Sequence, residues 1–158
     1  NRWHQWVKGR RYSQVLGLES CRVVKLQSRR GQSSKVKICI MKSFEDLDVW
    51  KESVQLSADL YDYFKNSHDY GFKDQITRSA LSLPSNIAEG CERKSLKERR
   101  NFFNYAKGSS GELQTQIHVG LKAGFINPEV AESWIGQARK FSAMLQGLQN
   151  YLNKQLIK

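Results

Sequence analysis

Apolar positions fall into two regimes along the 158 residues, and the change comes at Met41. After it, apolar side chains recur every three or four residues, the period that lines one face of an α-helix. Ser43 with Asp46 makes a near capping box, and Leu47, Trp50, Val54, Ala58, Tyr61 and Phe64 predict a first helix over about 44–66. SHDYG reads as a turn. Phe72, Ile76, Ala80, Leu83 and Ile87 then trace a second helix, expected to stop near Gly90, where a glycine tolerates positive φ. Ser95 and Glu98 form a full S-x-x-E box opening a third helix through Phe103, Ala106, Ser110, Leu113, Ile117 and Leu121, which Gly124 ends. Asn127 as N-cap, Pro128 at the first helical position and Glu129 start a fourth, carried by Val130, Trp134, Ala138, Phe141, Leu145, Leu148 and Leu152. Four amphipathic helices on short turns predict an all-α fold, an antiparallel up-and-down four-helix bundle over residues 41–158.

Before Met41 no helical stripe exists. Val24, Leu26, Val36, Ile38 and Ile40 alternate with polar neighbours around RRGQ, which predicts a marginal hairpin within an otherwise poorly ordered extension, residues 1–40. Charge separates the same two parts. The chain carries +11 overall; residues 1–40 hold ten Lys or Arg against Glu19 alone, whereas residues 41–158 hold sixteen against fourteen acids. Arg10, Arg11, Arg29 and Arg30, with Trp3, Trp6 and Tyr12 among them, can contact phosphates and stack on bases. Three readings stay open for this extension: a nucleic-acid-binding arm, a flexible extension without a function of its own, or sequence upstream of a true start at Met41.

Two devices interrupt the helical pattern. Pro84 sits inside the second helix, where it removes one backbone hydrogen bond and costs about 3 kcal/mol unless the helix kinks. Small neighbours, Ser79, Ala80, Ser82 and Ser85, would let a kinked helix approach another closely, and Ser or Asn side chains would satisfy the carbonyl freed near Ala80. In the third helix KGSSGE gathers Gly108 and Gly111 at mid-helix, where close helix contact is the expected reason for them.

FEDLDVW at 44–50, the run RSALSLPSNIAEG with Arg93, Ser95 and Glu98 behind it, and FFNYAKGSSGELQTQ together resemble the four-helix bundle family of 23S rRNA intervening sequence proteins, over about residues 43–157. The resemblance implies a homopentameric barrel of such protomers, often encoded within intervening sequences of large-subunit rRNA genes, with no established catalytic activity. A related bundle, the accessory variability determinant of diversity-generating retroelements, is a basic pentamer that binds nucleic acid and a reverse transcriptase. The nearly balanced bundle of this chain departs from that relative, and the 40-residue extension lies outside the family pattern.

The densest charge in the bundle is ERKSLKERR, where Arg93, Lys94, Lys97, Arg99 and Arg100 crowd one turn. It reads either as an anion-binding patch, repeated around a ring, or as a solvated face balanced by Glu92 and Glu98. Arg78, Asn86, Glu89 and Glu112 are polar within packed segments, and a paired Arg and Glu network between helices or protomers is expected of them rather than acid–base chemistry or a metal, since the Glu-x-x-His pattern of di-metal bundles is missing. His4, His68 and His118 are scattered, and Cys21, Cys39 and Cys91 form no CxxC pair; no metal, cofactor or catalytic group is expected. Cys91 beside Arg93 has no His, Asn or Asp that spacing would bring to it. Phe102, Tyr105, Ser109 and Gln116 lie beside the main stripe of the third helix, more surface than one protomer needs, which predicts a subunit interface. No apolar run approaches the roughly 20 residues of a membrane span, and no signal peptide opens the chain, so a cytoplasmic protein without a membrane partner is expected. The functional expectation is a non-enzymatic homo-oligomer, a pentamer by resemblance, binding rRNA or another structured RNA through basic surfaces. The alternative is a scaffold for an RNA-processing or reverse-transcribing protein partner without direct nucleic-acid contact.

Overall fold

A computed structural model describes residues 23–27, 33–37 and 43–157. Two short strands, β1 (Val23–Gln27) and β2 (Ser33–Lys37), pair antiparallel with Val24 opposite Val36, the hairpin expected from the alternation there. Ile38 and Ile40 lie outside the described residues. After a 3-10 turn at Phe44–Asp46 come four helices: α1 (Asp48–Phe64), α2 (Tyr70–Glu92), α3 (Leu96–Lys122) and α4 (Pro128–Leu156). Ser43 caps the 3-10 turn and not α1, its Oγ accepting from the Glu45 amide, so the first helix begins later than the capping pattern predicts.

Cross-helix bonds set the direction of each pair. Ser79 meets Gln116 and Ser82 meets Ser109, while Ser110 meets Ser142, Lys107 meets Gln146 and Arg100 meets Asn153. Numbers rise on one helix as they fall on its neighbour, so the bundle is antiparallel, up and down, as the sequence predicts. The α2–α3 and α3–α4 contacts are the most extensive; α1 leans chiefly on α2 and touches α4 least. An ion pair, Lys140 to Glu52 at 2.6 Å, joins α1 to α4.

The core follows the predicted stripes on α2, α3 and α4 and shifts on α1. There the buried face is Val49, Ser53, Leu56, Ser57, Leu60 and Phe64, while Val54, Ala58 and Tyr61, expected inside, are exposed. Both stripes have helical spacing; the chain buries the one carrying serines because α2 needs a hydroxyl there. Pro84 is buried inside a continuous α2 and withholds the amide that would bond the carbonyl of Ala80. The Ser57 hydroxyl of α1 stands 2.8 Å from that carbonyl and 2.8 Å from the Ser53 carbonyl, and its single hydrogen is shared between them. The Ser or Asn side chain expected to satisfy the freed acceptor is Ser57, on the facing helix.

Glycine plays two different parts from those expected. Gly90 is buried within α2 without positive φ, and α2 runs on to Glu92; a Cβ at Gly90 would stand 2.9 Å from Phe103 Cε1 and 3.0 Å from Phe102 Cβ, so close approach to α3 is the requirement. Gly108 and Gly111 meet nothing that a Cβ would strike, so close packing within the protomer does not explain them. Gly124, at φ +76°, ends α3 as predicted. Beyond it a chain of rings, Trp134, Tyr63, Phe64 and Phe72 edge to face and Phe125 tilted on Phe72, with centroids 5.0 to 5.7 Å apart, closes that end of the bundle.

Ser57→Ala leaves the Ala80 carbonyl buried and unpaired, and is expected to lower the unfolding free energy by about 1–3 kcal/mol in urea titrations. In a Pro84→Ala background, where residue 84 regains its amide, the same substitution should cost markedly less, by about 1 kcal/mol or more in a double-mutant cycle.

Candidate nucleic-acid interface

The up-and-down path places the start of α1, the end of α2, the start of α3 and the end of α4 at one end of the bundle, and the predicted cation cluster lies there. Ser95 caps α3, its Oγ accepting from the Glu98 amide, the capping box read from the sequence. The five cations do not form one surface. Arg99, on the first turn of α3, reaches back to the last carbonyls of α2: Nε donates to Gly90 O at 3.2 Å, and Nη2 to Cys91 O and Arg93 O, each at 3.0 Å. These are acceptors that the end of a helix leaves open, so Arg99 is a cap supplied by the neighbouring helix.

Arg93 pairs with Glu89 one turn earlier and lies 4.8 Å over the Phe102 ring, half-buried. Arg100 donates to Asn153 Oδ1 of α4 at 3.3 Å and is half-buried as well. Lys94 and Lys97 remain exposed, without a hydrogen bond or ion pair among the described residues. Three of the five predicted contacts are therefore engaged in holding helices together, and two are available to an anion. Arg10, Arg11, Arg29 and Arg30 lie outside the described residues.

Beside this turn Cys91 is half-buried, and burial pushes its thiol up to about 11, with Arg99 pulling the other way and Glu92 adding to the rise. At neutral pH it is protonated, a poor nucleophile. Among the described residues no group of three or more His, Cys, Asp or Glu stands close enough to hold a metal.

The expected Arg and Glu network is dispersed. Arg78 pairs with Asp74 at 3.5 Å, Glu89 with Arg93, and Asn86 bonds the carbonyl and hydroxyl of Ser82. Glu112 meets none of them and has no partner among the described residues. What does join α2 to α3 is a seam of hydroxyls and amides: Ser82 with Ser109 at 2.9 Å, and Ser79 with Gln116. Ser109 and Gln116, predicted to be surplus surface, are spent on that seam, while Tyr105 stays exposed. Serine in a helix gives no pattern to read from sequence, because its value depends on which helix lies opposite.

Because Cys91 titrates higher in the folded chain than the usual 9.0, folding favours its protonated form, and that contribution is present below pH 9 and lost as pH rises toward 11. Wild type should therefore lose more stability than Cys91→Ala across that window in parallel urea titrations. Arg99→Ala, by uncovering the Cys91 and Arg93 carbonyls and leaving Gly90 O only the Arg93 amide, should cost about 2–4 kcal/mol, whereas Lys94→Gln and Lys97→Gln should stay within about 0.5 kcal/mol of wild type.

No helix among the described residues is long and apolar enough to cross a membrane. No curated protein matches the chain. A crystal structure of a protein of unknown function from the S23 ribosomal protein family of Bacteroides thetaiotaomicron is similar at 21% identity and a TM-score of 0.61, over 64% of this chain and 97% of that one, which supports the fold alone. Residues 45–147, the first three helices and about two thirds of α4, match the family model described as 23S rRNA-intervening sequence protein, and the chain belongs to that family.

Proposed function

We propose that this chain is a non-enzymatic bundle that assembles with copies of itself and binds nucleic acid, with structured RNA as the target. The observation that carries the reading is the placement of charge. Residues 43–157 hold fourteen cations against fourteen acids, so the bundle as a whole attracts no polyanion, but the excess of nine cations over residues 1–40 joins it at Ser43. That is the end where Lys94 and Lys97 stand free. The chain thus carries its surplus charge in the segment that leads into the end where two lysines are unengaged among the described residues, and the family name, an rRNA intervening sequence protein, favours RNA over DNA.

Self-assembly draws on a different face. Tyr105, Glu112 and Val119, seven residues apart, share one line of α3, with Tyr105 59% and Val119 52% exposed. Gly108 and Gly111 beside that line present bare backbone, and Leu81 of α2 is 50% exposed. Glycines that nothing inside the protomer requires, next to exposed apolar side chains, suit a contact between copies. The resemblance noted from the sequence makes the expected assembly a pentamer.

Binding of the full chain to an rRNA-like stem, measured by anisotropy at several salt concentrations, should weaken steeply as salt rises. Each of Lys94→Gln and Lys97→Gln should lower the log–log salt slope by about 1 without changing stability. Binding that is absent or indifferent to salt would overturn the nucleic-acid reading and leave the exposed α3 line to a protein partner. Light scattering tests the assembly: a solitary protomer at high concentration removes it.

A further inference from the structure

Between α2 and α3, toward the end opposite the cation turn, lies a groove of about 290 Å³ lined by Gln75, Arg78, Ser79, Ser82, Glu112 and Gln116. Its lining is polar throughout. That volume is at the bottom of the roughly 300–1,000 Å³ range of small-molecule sites, and those sites are mostly apolar. A greasy or drug-sized ligand is therefore a poor occupant, and a small polar one is a good one.

Which groups remain free decides the chemistry. The serines are occupied: Ser79 Oγ lies in bonding reach of the carbonyls of Gln75 and Ile76 and of Gln116 Oε1 and shares its single hydrogen among them, and Ser82 is bonded to Ser109 and Asn86. Because Gln116 accepts through its oxygen, its amide NH2 is left to donate. The side chain of Gln75 and the carboxylate of Glu112 have no partner among the described residues. Arg78 spends one Nη on Asp74 at 3.5 Å, a long pair between exposed groups, worth little, so its guanidinium can turn. The groove thus offers a cation on the α2 wall, an anion on the α3 wall, and amides between that both donate and accept.

We infer that this groove binds a small zwitterion, a free amino acid or a short peptide, with its carboxylate on Arg78, its ammonium on Glu112 and any peptide group on Gln75 and Gln116. A polyanion is excluded by Glu112, and a simple amine or simple carboxylate would use one wall only. The inference stands apart from the nucleic-acid reading, which concerns the other end of the bundle; Glu112 also lies on the α3 line assigned to contact between copies, so a ligand in the groove and a neighbouring copy compete for it.

Saturation-transfer NMR on the full chain tests it with glycylglycine and glycine as probes, and acetate and methylammonium as single-charge controls. Transfer is expected to the two zwitterions and to be weak for the controls. Each of Arg78→Gln and Glu112→Gln should weaken glycylglycine binding by about tenfold or more, the loss of one charge-assisted contact. Both side chains are exposed and outside the core, so the variants fold, which far-ultraviolet circular dichroism checks. No transfer to either zwitterion at about 10 mM, equal transfer to the controls, or undiminished binding in both variants overturns the assignment.

Discussion

One hydroxyl group holds the architecture to its register. Pro84 cannot donate to the carbonyl of Ala80, and that carbonyl, inside a bundle, has no water to turn to. Ser57 supplies the missing donor from α1. Because the donor is on another helix, it fixes more than one bond: α1 must rotate so that Ser53 and Ser57 point inward, which puts Val49, Leu56, Leu60 and Phe64 into the core and leaves Val54, Ala58 and Tyr61 outside. A slip of one turn between α1 and α2 would strand the carbonyl and cost about 1–3 kcal/mol on top of lost packing. The proline thereby acts as a register mark, telling one antiparallel arrangement from its near-equivalents.

The same device, a small polar side chain sent across to a neighbouring backbone, recurs down the bundle. Ser110, fully buried, donates to the Ala138 carbonyl at 2.8 Å and accepts from Ser142, tying α3 to α4 as Ser57 ties α1 to α2. At the α2–α3 contact the partners are side chains on both sides. Small residues let the backbones come close, closeness brings a hydroxyl within reach of a carbonyl, and the bond then penalises any rotation that withdraws it. Arg99 extends the principle to the helix end, where a longer arm spans the turn to reach three carbonyls at once.

These particulars explain what was legible in the sequence and what was not. Helix number and order, and the ends set by the Ser95 box, Pro128 and Gly124, were readable because these are local signals, set within a few residues; the start of α1 and the end of α2 were not. The α2, α3 and α4 core faces were readable because each presents a single apolar stripe. On α1 two stripes compete, and the choice depends on Pro84 some thirty residues away, which no local pattern contains. Gly90 illustrates the same limit: a glycine near a helix end reads as a stop by the common rule, yet its reason here is the Phe103 ring pressed against it from α3. Of the candidate site, the crowding of cations was visible, but their division into structural and free was not.

That division follows from side-chain chemistry. The three arginines of the turn are the engaged cations and the two lysines are the free ones. A guanidinium has five donors in a flat fork, so it can bond several carbonyls or lie on a ring while partly buried; an ammonium is a compact, strongly hydrated charge that is better left in water. Where a basic cluster sits on a helix junction, arginines will be drawn into the junction and lysines left to the solvent. A count of positive residues therefore overstates what such a turn offers to a phosphate backbone. In a bundle of balanced charge, the proposed binding therefore rests more on the surplus of residues 1–40 than on the cluster that first draws the eye.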